Sequence, residues 1–243
     1  MPDRMVTFRV TRYDAASGEP PREQDYTVRV RKGMSVLEGL LEVQDRQDGS
    51  LALRYSCRGA VCGSCAMRVA GSVVLACRTQ VASLREPLVR IEPLPHLRVL
   101  KDLVVDLGPF FAKYEYIRPW LVPDGWLPER EHRVSEADRR KIDAYVNCIL
   151  CAACHGRCPV ARRTPSYLSP APLAKAYRFI ADVRDTDADR RLKEVDSHDG
   201  VWGCDTVFNC VHVCPKGVPP TQGICATRRL IVRRRPFKQI FGR

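Results

Sequence analysis

Apolar and polar side chains alternate along Met5 to Val10, and β-branched and aromatic residues cluster along Tyr26 to Val30; both patterns predict strands. Ser72 to Leu75 and Leu88 to Glu92 are two further short strand signals. Between the first and second pairs lies one helix signal. Ser35 with Glu38 forms a capping box, and Val36, Leu37, Leu40, Leu41 and Gln44 line one face up to the stop at Asp48-Gly49. Two strands, a helix, a cysteine-rich loop and short strands predict an α+β domain over residues 1–105. Residues 106–133 carry Pro109, Pro119, Pro123 and Pro128 with Gly108 and Gly125, which break any long helix, and read as a connector. From residue 134 the strand signals fade. Ser135 with Asp138 resembles a helix start, and Ala171 to Val183 and Gln222 to Val232 are helical in composition, so 134–243 is expected to be an all-α domain.

Composition narrows the class. A chain of 243 residues with 45% hydrophobic content is an ordinary globular protein of one or two domains. Its first residues include Asp3, Arg4, Arg9, Arg12 and Asp14 with no apolar core, so no export leader is expected. No uncharged apolar run reaches the ~18 residues needed to cross a bilayer. The formal charge is +12, which favours an anionic partner surface. Arg228, Arg229, Arg233, Arg234, Arg235, Lys238 and Arg243 crowd the C-terminus, where they suit either anionic lipid, an acidic subunit or a solvated helix face. Basic residues are not interleaved with aromatics, so no nucleic-acid partner is expected.

Cysteine changes the picture. There are twelve, a density that in a reducing compartment points to metal ligation or redox chemistry. Cys57, Cys62, Cys65 and Cys77 follow C-x4-C-x2-C with a distant fourth cysteine, the plant-type ferredoxin spacing for a [2Fe-2S] cluster. Zinc knuckles pair two C-x2-C units at longer separation and match poorly. Cys148, Cys151, Cys154 and Cys158 with Pro159 fit the bacterial run C-x2-C-x2-C-x3-C-P. A second run repeats that spacing as Cys204, Val207, Cys210, Cys214 and Pro215, with valine at the second ligand position.

In two-cluster proteins the fourth cysteine of each run serves the other cluster. Cys148, Cys151, Cys154 and Cys214 then make four thiolates for a [4Fe-4S] cluster. Cys158, Cys204 and Cys210 make three, which implies [3Fe-4S], with Val207 placing hydrocarbon at the empty corner. Cys225 is left over and reads as a packed small side chain. His155 and His212 lie in the ligand loops, where a hydrogen bond to sulfur or solvent exposure is expected rather than ligation. Each ligated cluster carries about −2, so three bring the charge to roughly +6. No hydrolytic constellation, G-x-G-x-x-G or Walker sequence is present, so substrate chemistry falls to another chain.

These cysteines are embedded in Ser56-Cys57-Arg58, Val61-Cys62-Gly63-Ser64-Cys65, Leu75-Ala76-Cys77, Lys101-Asp102-Leu103-Val104-Val105-Asp106, Cys148-Ile149-Leu150-Cys151, Arg184-Asp185, Asn209-Cys210 and Cys214-Pro215-Lys216-Gly217. Over nearly its whole length the chain resembles the iron-sulfur subunits of succinate dehydrogenase and fumarate reductase, the complex II family. The resemblance implies an N-terminal β-grasp ferredoxin domain and a C-terminal helical, bacterial-ferredoxin-like domain. It implies as partners a dehydrogenase subunit carrying FAD and a membrane anchor that binds quinone, with or without haem. The chain itself would be an electron relay without substrate chemistry of its own, peripheral on the cytoplasmic face of a bacterial inner membrane.

The pattern departs from the family in two places. A tryptophan common after the proline of the first run is absent from Val160, Ala161, Arg162, Arg163 and Thr164, and a histidine often found after the first ligand of the second run is Asp205. Quinone contacts from this subunit are therefore not implied by the resemblance. Direction stays open as well: Asn209-Cys210 looks like the dehydrogenases, while Gly200-Val201-Trp202 and position 207 also resemble the reductases. An iron-sulfur subunit of another flavin-linked reductase and a zinc-stabilised binding module are the rival readings.

Overall fold

The computed structural model describes residues 4–123 and 130–234. In chain order the strands are β1 (Arg4–Arg12), β2 (Arg22–Val30), β3 (Ala66–Val69), β4 (Ser72–Leu75), β5 (Leu88–Glu92), β6 (Val99–Lys101) and β7 (Val104–Val105). The helices are α1 (Val36–Arg46), α2 (Gly108–Tyr116), α3 (Glu136–Val146), α4 (Ala153–Gly156), α5 (Pro159–Arg163), α6 (Pro170–Ile180), α7 (Ala188–Val195), α8 (Asn209–His212) and α9 (Pro220–Arg234). Contacts divide the chain into two compact units, Met1–Leu107 with Ile149–Arg157, and Gly108–Cys148 with Cys158–Arg243.

The first unit is a mixed five-stranded sheet in the order β2-β1-β5-β3-β4, with β6 and β7 paired apart from it. Strand β1 runs antiparallel to β2 from Arg4↔Val30 to Arg12↔Arg22 and parallel to β5 from Thr7↔Leu88 to Val10↔Ile91. Its period of two sends Val6, Phe8 and Val10 inward, where they meet Val36, Leu37, Leu40 and Val43 of α1. The expected capping box is present: Glu38 N donates to Ser35 Oγ at 3.2 Å and Ser35 N to Glu38 Oε2 at 2.7 Å. Helix and sheet meet closely at Gly39, where a Cβ would stand 2.5 Å from Phe8 Cε2, so glycine is what lets α1 lie on β1. Strand β3 gave no pattern of its own in the sequence; it follows the ligand loop at once and is held by pairing with both β4 and β5. A buried cation also ties the unit together. Arg12 donates to Asp102 Oδ1 at 2.9 Å and Ser50 Oγ at 2.9 Å and pairs with Asp48, while Asp102 accepts from the backbone of Tyr13 and Ala52.

The second unit is helical. Ser135 caps α3 by accepting from Asp138 N at 3.1 Å, as the sequence predicts. Helix α6 buries Leu173, Ala176 and Ile180 against Leu192 and Val195 of α7 and Ile224 and Ile231 of α9. It stops at Ile180, three residues short of the composition-based end, and Val183 beyond it is exposed. Of the stretch 106–133, expected to be a connector, residues 108–123 are packed into this unit. Phe110 of α2 and Ile117 are buried, and the buried Arg191 guanidinium donates to the carbonyls of Ile117 at 3.0 Å and Trp120 at 2.6 Å. That guanidinium is itself neutralised by Asp185, with contacts of 3.1 and 2.9 Å. Residues 124–129 and, with Arg235, Lys238 and Arg243 of the basic C-terminal cluster, 235–243 lie outside the described residues.

Candidate iron-sulfur sites

Tight loops around thiolates need backbone N–H groups turned toward sulfur, because nothing else within a short loop offsets the negative charge. The 57–65 loop does this. Arg58 (φ 55°), Ala60 (φ 57°) and Gly63 (φ 75°) adopt left-handed backbone, and Cys57 Sγ accepts from the amides of Gly59 at 3.4 Å, Val61 at 3.3 Å and Cys62 at 3.2 Å. Cys65 leads into β3 and Cys77 follows β4, so the β3–β4 hairpin returns the distant fourth cysteine to the loop: Ala76 N donates to Cys65 O at 3.1 Å. Burial pushes the Cys65 thiol up to about 12. Burial also raises Cys62, but hydrogen bonds from Ser64 and the Cys57 backbone outweigh it and bring that thiol down to about 6. The deep member of the set therefore needs a cation to become a thiolate, and iron supplies one.

The two bacterial-type runs share a backbone as well as a spacing. After Cys148, left-handed residues fall at Leu150 (φ 54°) and Ala152 (φ 58°); after Cys204 they fall at Thr206 (φ 59°) and Phe208 (φ 61°). Each run then enters a four-residue helix, α4 containing Cys154 and α8 containing Cys210. Val207 thus occupies the position of Cys151 in conformation and not in spacing alone. It is 49% exposed and followed by the exposed Phe208, so the hydrocarbon expected around that corner lies at the surface of this chain and not in its interior.

Cys158, Cys204 and Cys210 come together in the second unit. Cys158 and Cys204 border the same apolar cluster, and the ionisation of Cys158 and of Cys210 is raised first by burial and then by neighbouring thiols of this set. Ala161 N donates to Cys158 Sγ at 3.5 Å, Thr206 N to Cys204 Sγ at 3.4 Å, and Thr221 Oγ1 lies 3.1 Å from Cys210 Sγ. Arg228 holds this loop from α9, donating to the carbonyls of Val201 at 2.8 Å and Cys204 at 2.6 Å. Of the other four ligand candidates, Cys148 and Cys214 pack beside Tyr145 and Val218 in the second unit, with Val218 N donating to Cys214 Sγ at 3.3 Å. Cys151 and Cys154 belong to the first unit.

The segment that carries Cys151 and Cys154 is seated on the first unit by three contacts. A Cβ on Gly63 would stand 2.7 Å from Cys151 Cβ, a Cβ on Gly156 would stand 3.0 Å from Leu94 Cδ1, and His155 is buried with Nε2 3.1 Å from His96 O. His155 is therefore neither exposed nor free to face sulfur through that nitrogen, whereas His212 is exposed. Cys225 is half-buried on α9, as a packing residue would be. The two departures from the family pattern meet one another: Arg163 Nη2 pairs with Asp205 Oδ2 at 2.8 Å. Among the described residues no three of His, Cys, Asp and Glu are grouped to hold a single metal ion.

Comparison with known proteins agrees with this geometry. Residues 7–112 match the 2Fe-2S iron-sulfur cluster binding domain family, and residues 144–218 match the 4Fe-4S dicluster domain family. The succinate dehydrogenase iron-sulfur subunit of Paracoccus denitrificans is 38% identical over 229 residues, covering 93% of this chain and 88% of that one. The chain belongs to the succinate dehydrogenase iron-sulfur subunit family. Its part in that complex II enzyme is electron transfer. A chain of the Mycobacterium smegmatis Sdh1 complex in the apo form superposes with a TM-score of 0.87 at 26% identity, covering 96% of this chain and 98% of that one. A hypothetical protein from Helicobacter pylori shares the fold alone, with a TM-score of 0.61 at 14% identity over 98% of this chain and 41% of that one. The donor sets fit the clusters these families bind, since each loop offers thiols backed by backbone amides. No helix among the described residues is long and apolar enough to cross a membrane.

Proposed function

We propose that the chain holds three clusters in series: [2Fe-2S] on Cys57, Cys62, Cys65 and Cys77; [4Fe-4S] on Cys148, Cys151, Cys154 and Cys214; and [3Fe-4S] on Cys158, Cys204 and Cys210. The observation that carries this reading is the repeated left-handed backbone of the two bacterial-type runs, which makes Val207 the counterpart of Cys151. A valine there cannot ligate iron, so the second run is one thiolate short and its cluster one iron short. When bound, the clusters supply single-electron steps between FAD in a partner dehydrogenase subunit and quinone at a membrane anchor. The residues of this chain set the order. Gly63 of the first ligand loop abuts Cys151 of the second, so the two loops touch without an intervening side chain. The amides on Cys57 and the hydroxyl of Thr221 on Cys210 offset thiolate charge and bias each centre's potential.

The finer fold reading is a β-grasp first domain over 1–105 and a helical ferredoxin-like domain over 134–243, with the stretch between them packed on the helical side from residue 108, the chain being peripheral on the cytoplasmic face of a bacterial inner membrane. Succinate oxidation is the favoured direction, with quinol:fumarate reduction by the same subunit as the alternative. The Arg163–Asp205 pair joins the two segments that depart from the family pattern, so quinone contacts from this subunit are not assigned to them. The test is the complex purified anaerobically with its flavoprotein. Iron should approach nine and acid-labile sulfide ten per chain, about the content of one [2Fe-2S], one [4Fe-4S] and one [3Fe-4S] cluster, with three EPR-distinct centres. Turnover with succinate and with fumarate, using ubiquinone and menaquinone analogues in turn, then gives the direction. Absence of iron and sulfide, or quinone reduction that persists without this subunit, would overturn the relay.

A further inference from the structure

A buried tyrosine hydroxyl stands beside the three-cysteine site. Tyr167 is 1% exposed. Its ring lies against Gly203, whose Cβ, if present, would stand 3.0 Å from Tyr167 Cδ2, so the side chain sits beside the first ligand of the second run. The backbone fixes it there: Tyr167 N donates to Thr164 O at 3.1 Å, and Leu168 N donates to Asp199 O at 2.8 Å. The hydroxyl oxygen is buried with no partner of full hydrogen-bond geometry among the described residues, and the polar side chain it turns toward is Cys204. A phenol keeps its proton at neutral pH and can donate it to a sulfur. A buried donor left without an acceptor is costly, and the chemistry gathered around this one is thiolate. The three thiols already lie within hydrogen-bond distance of other protein groups, Cys158 of Ala161 N, Cys204 of Thr206 N and Cys210 of Thr221 Oγ1.

We propose that Tyr167 donates a hydrogen bond to sulfur at the Cys204 corner of the [3Fe-4S] cluster, either the thiolate or an adjacent sulfide, and so raises the reduction potential of that centre. The inference rests on the three-thiolate reading of the site. Reduction adds negative charge to the cluster, and a hydrogen bond to sulfur stabilises the more negative state more strongly. Tyr167→Phe removes one oxygen and keeps the ring that packs on Gly203.

The experiment is redox-poised EPR on the assembled complex. In Tyr167→Phe the oxidised [3Fe-4S] signal should remain, with its midpoint lowered by about 59 mV, a tenfold change in the reduced-to-oxidised ratio for a one-electron couple. Site-specific 3-fluorotyrosine at position 167 keeps the hydroxyl and makes it a stronger donor, so the midpoint should move the opposite way. Pulsed ENDOR after exchange into D2O should lose one coupled exchangeable proton in Tyr167→Phe relative to the native chain. An intact signal whose midpoint ignores both substitutions overturns the role of Tyr167. Absence of any oxidised [3Fe-4S] signal in the native complex overturns the cluster assignment instead, and the two failures are thereby distinguished.

Discussion

At the scale of single residues, one side chain separates two sites built on the same loop. Leu150 and Ala152 after Cys148, and Thr206 and Phe208 after Cys204, flank Cys151 and Val207 with the same pair of left-handed residues. On the proposed three-thiolate reading, Val207→Cys should supply the fourth thiolate and convert the centre to [4Fe-4S]. Its potential should fall, and the oxidised [3Fe-4S] EPR signal should disappear. An unchanged signal in a variant that assembles would show that position 207 does not face the cluster. The spacing of the eleven ligand candidates was fully legible in the sequence. The positions of Thr221 and Tyr167 beside the thiols were not, because they lie on other elements and are brought there only by the packing of α9 and of the loop before α6. The buried state of His155 was equally hidden, since its partner His96 is remote in the chain.

At the scale of elements, the strong signals were those with a local cause. Alternation in β1, the capping box of α1 and the Ser135 cap of α3 all appear where the pattern puts them. The four-residue helices α4 and α8 have no periodicity to read and are created by the left-handed residues before them. Contact between the first ligand loop and the segment carrying Cys151 depends on Gly63 having no side chain. It combines φ 75° with a hypothetical Cβ 2.7 Å from Cys151 Cβ and 2.9 Å from its Cα. Gly63→Ala should cost about 1–3 kcal/mol through backbone strain and overpacking. The expected readout is a lowered melting temperature of the holo complex, together with slowed electron transfer from the first cluster to the second in freeze-quench EPR. Native values for both would show that the loops do not touch.

At the scale of the whole molecule, the two units divide the chain differently from its sequence blocks: residues 149–157 cluster with the sheet, and 108–123 with the helices. The buried Arg191–Asp185 pair is what holds part of that former connector. Asp185→Asn leaves Arg191 charged, buried and without its counter-charge, which should cost about 3–5 kcal/mol. Chemical denaturation checks it, with Arg191→Met, Asp185→Leu as the comparison that removes both charges and recovers part of the loss; a midpoint unchanged in Asp185→Asn would show that the clamp is not stabilising. The sequence by itself determined the cysteine spacing that marks the 2Fe-2S and 4Fe-4S domains and the order of a sheet region followed by a helical one, because thiol spacing and local periodicity are properties of neighbouring residues. Only the tertiary structure decided which loops touch, which hydroxyls reach sulfur and where the segment between Cys148 and Cys158 is seated. Those depend on contacts between residues far apart in the chain, where a missing Cβ or one buried charge outweighs any local preference.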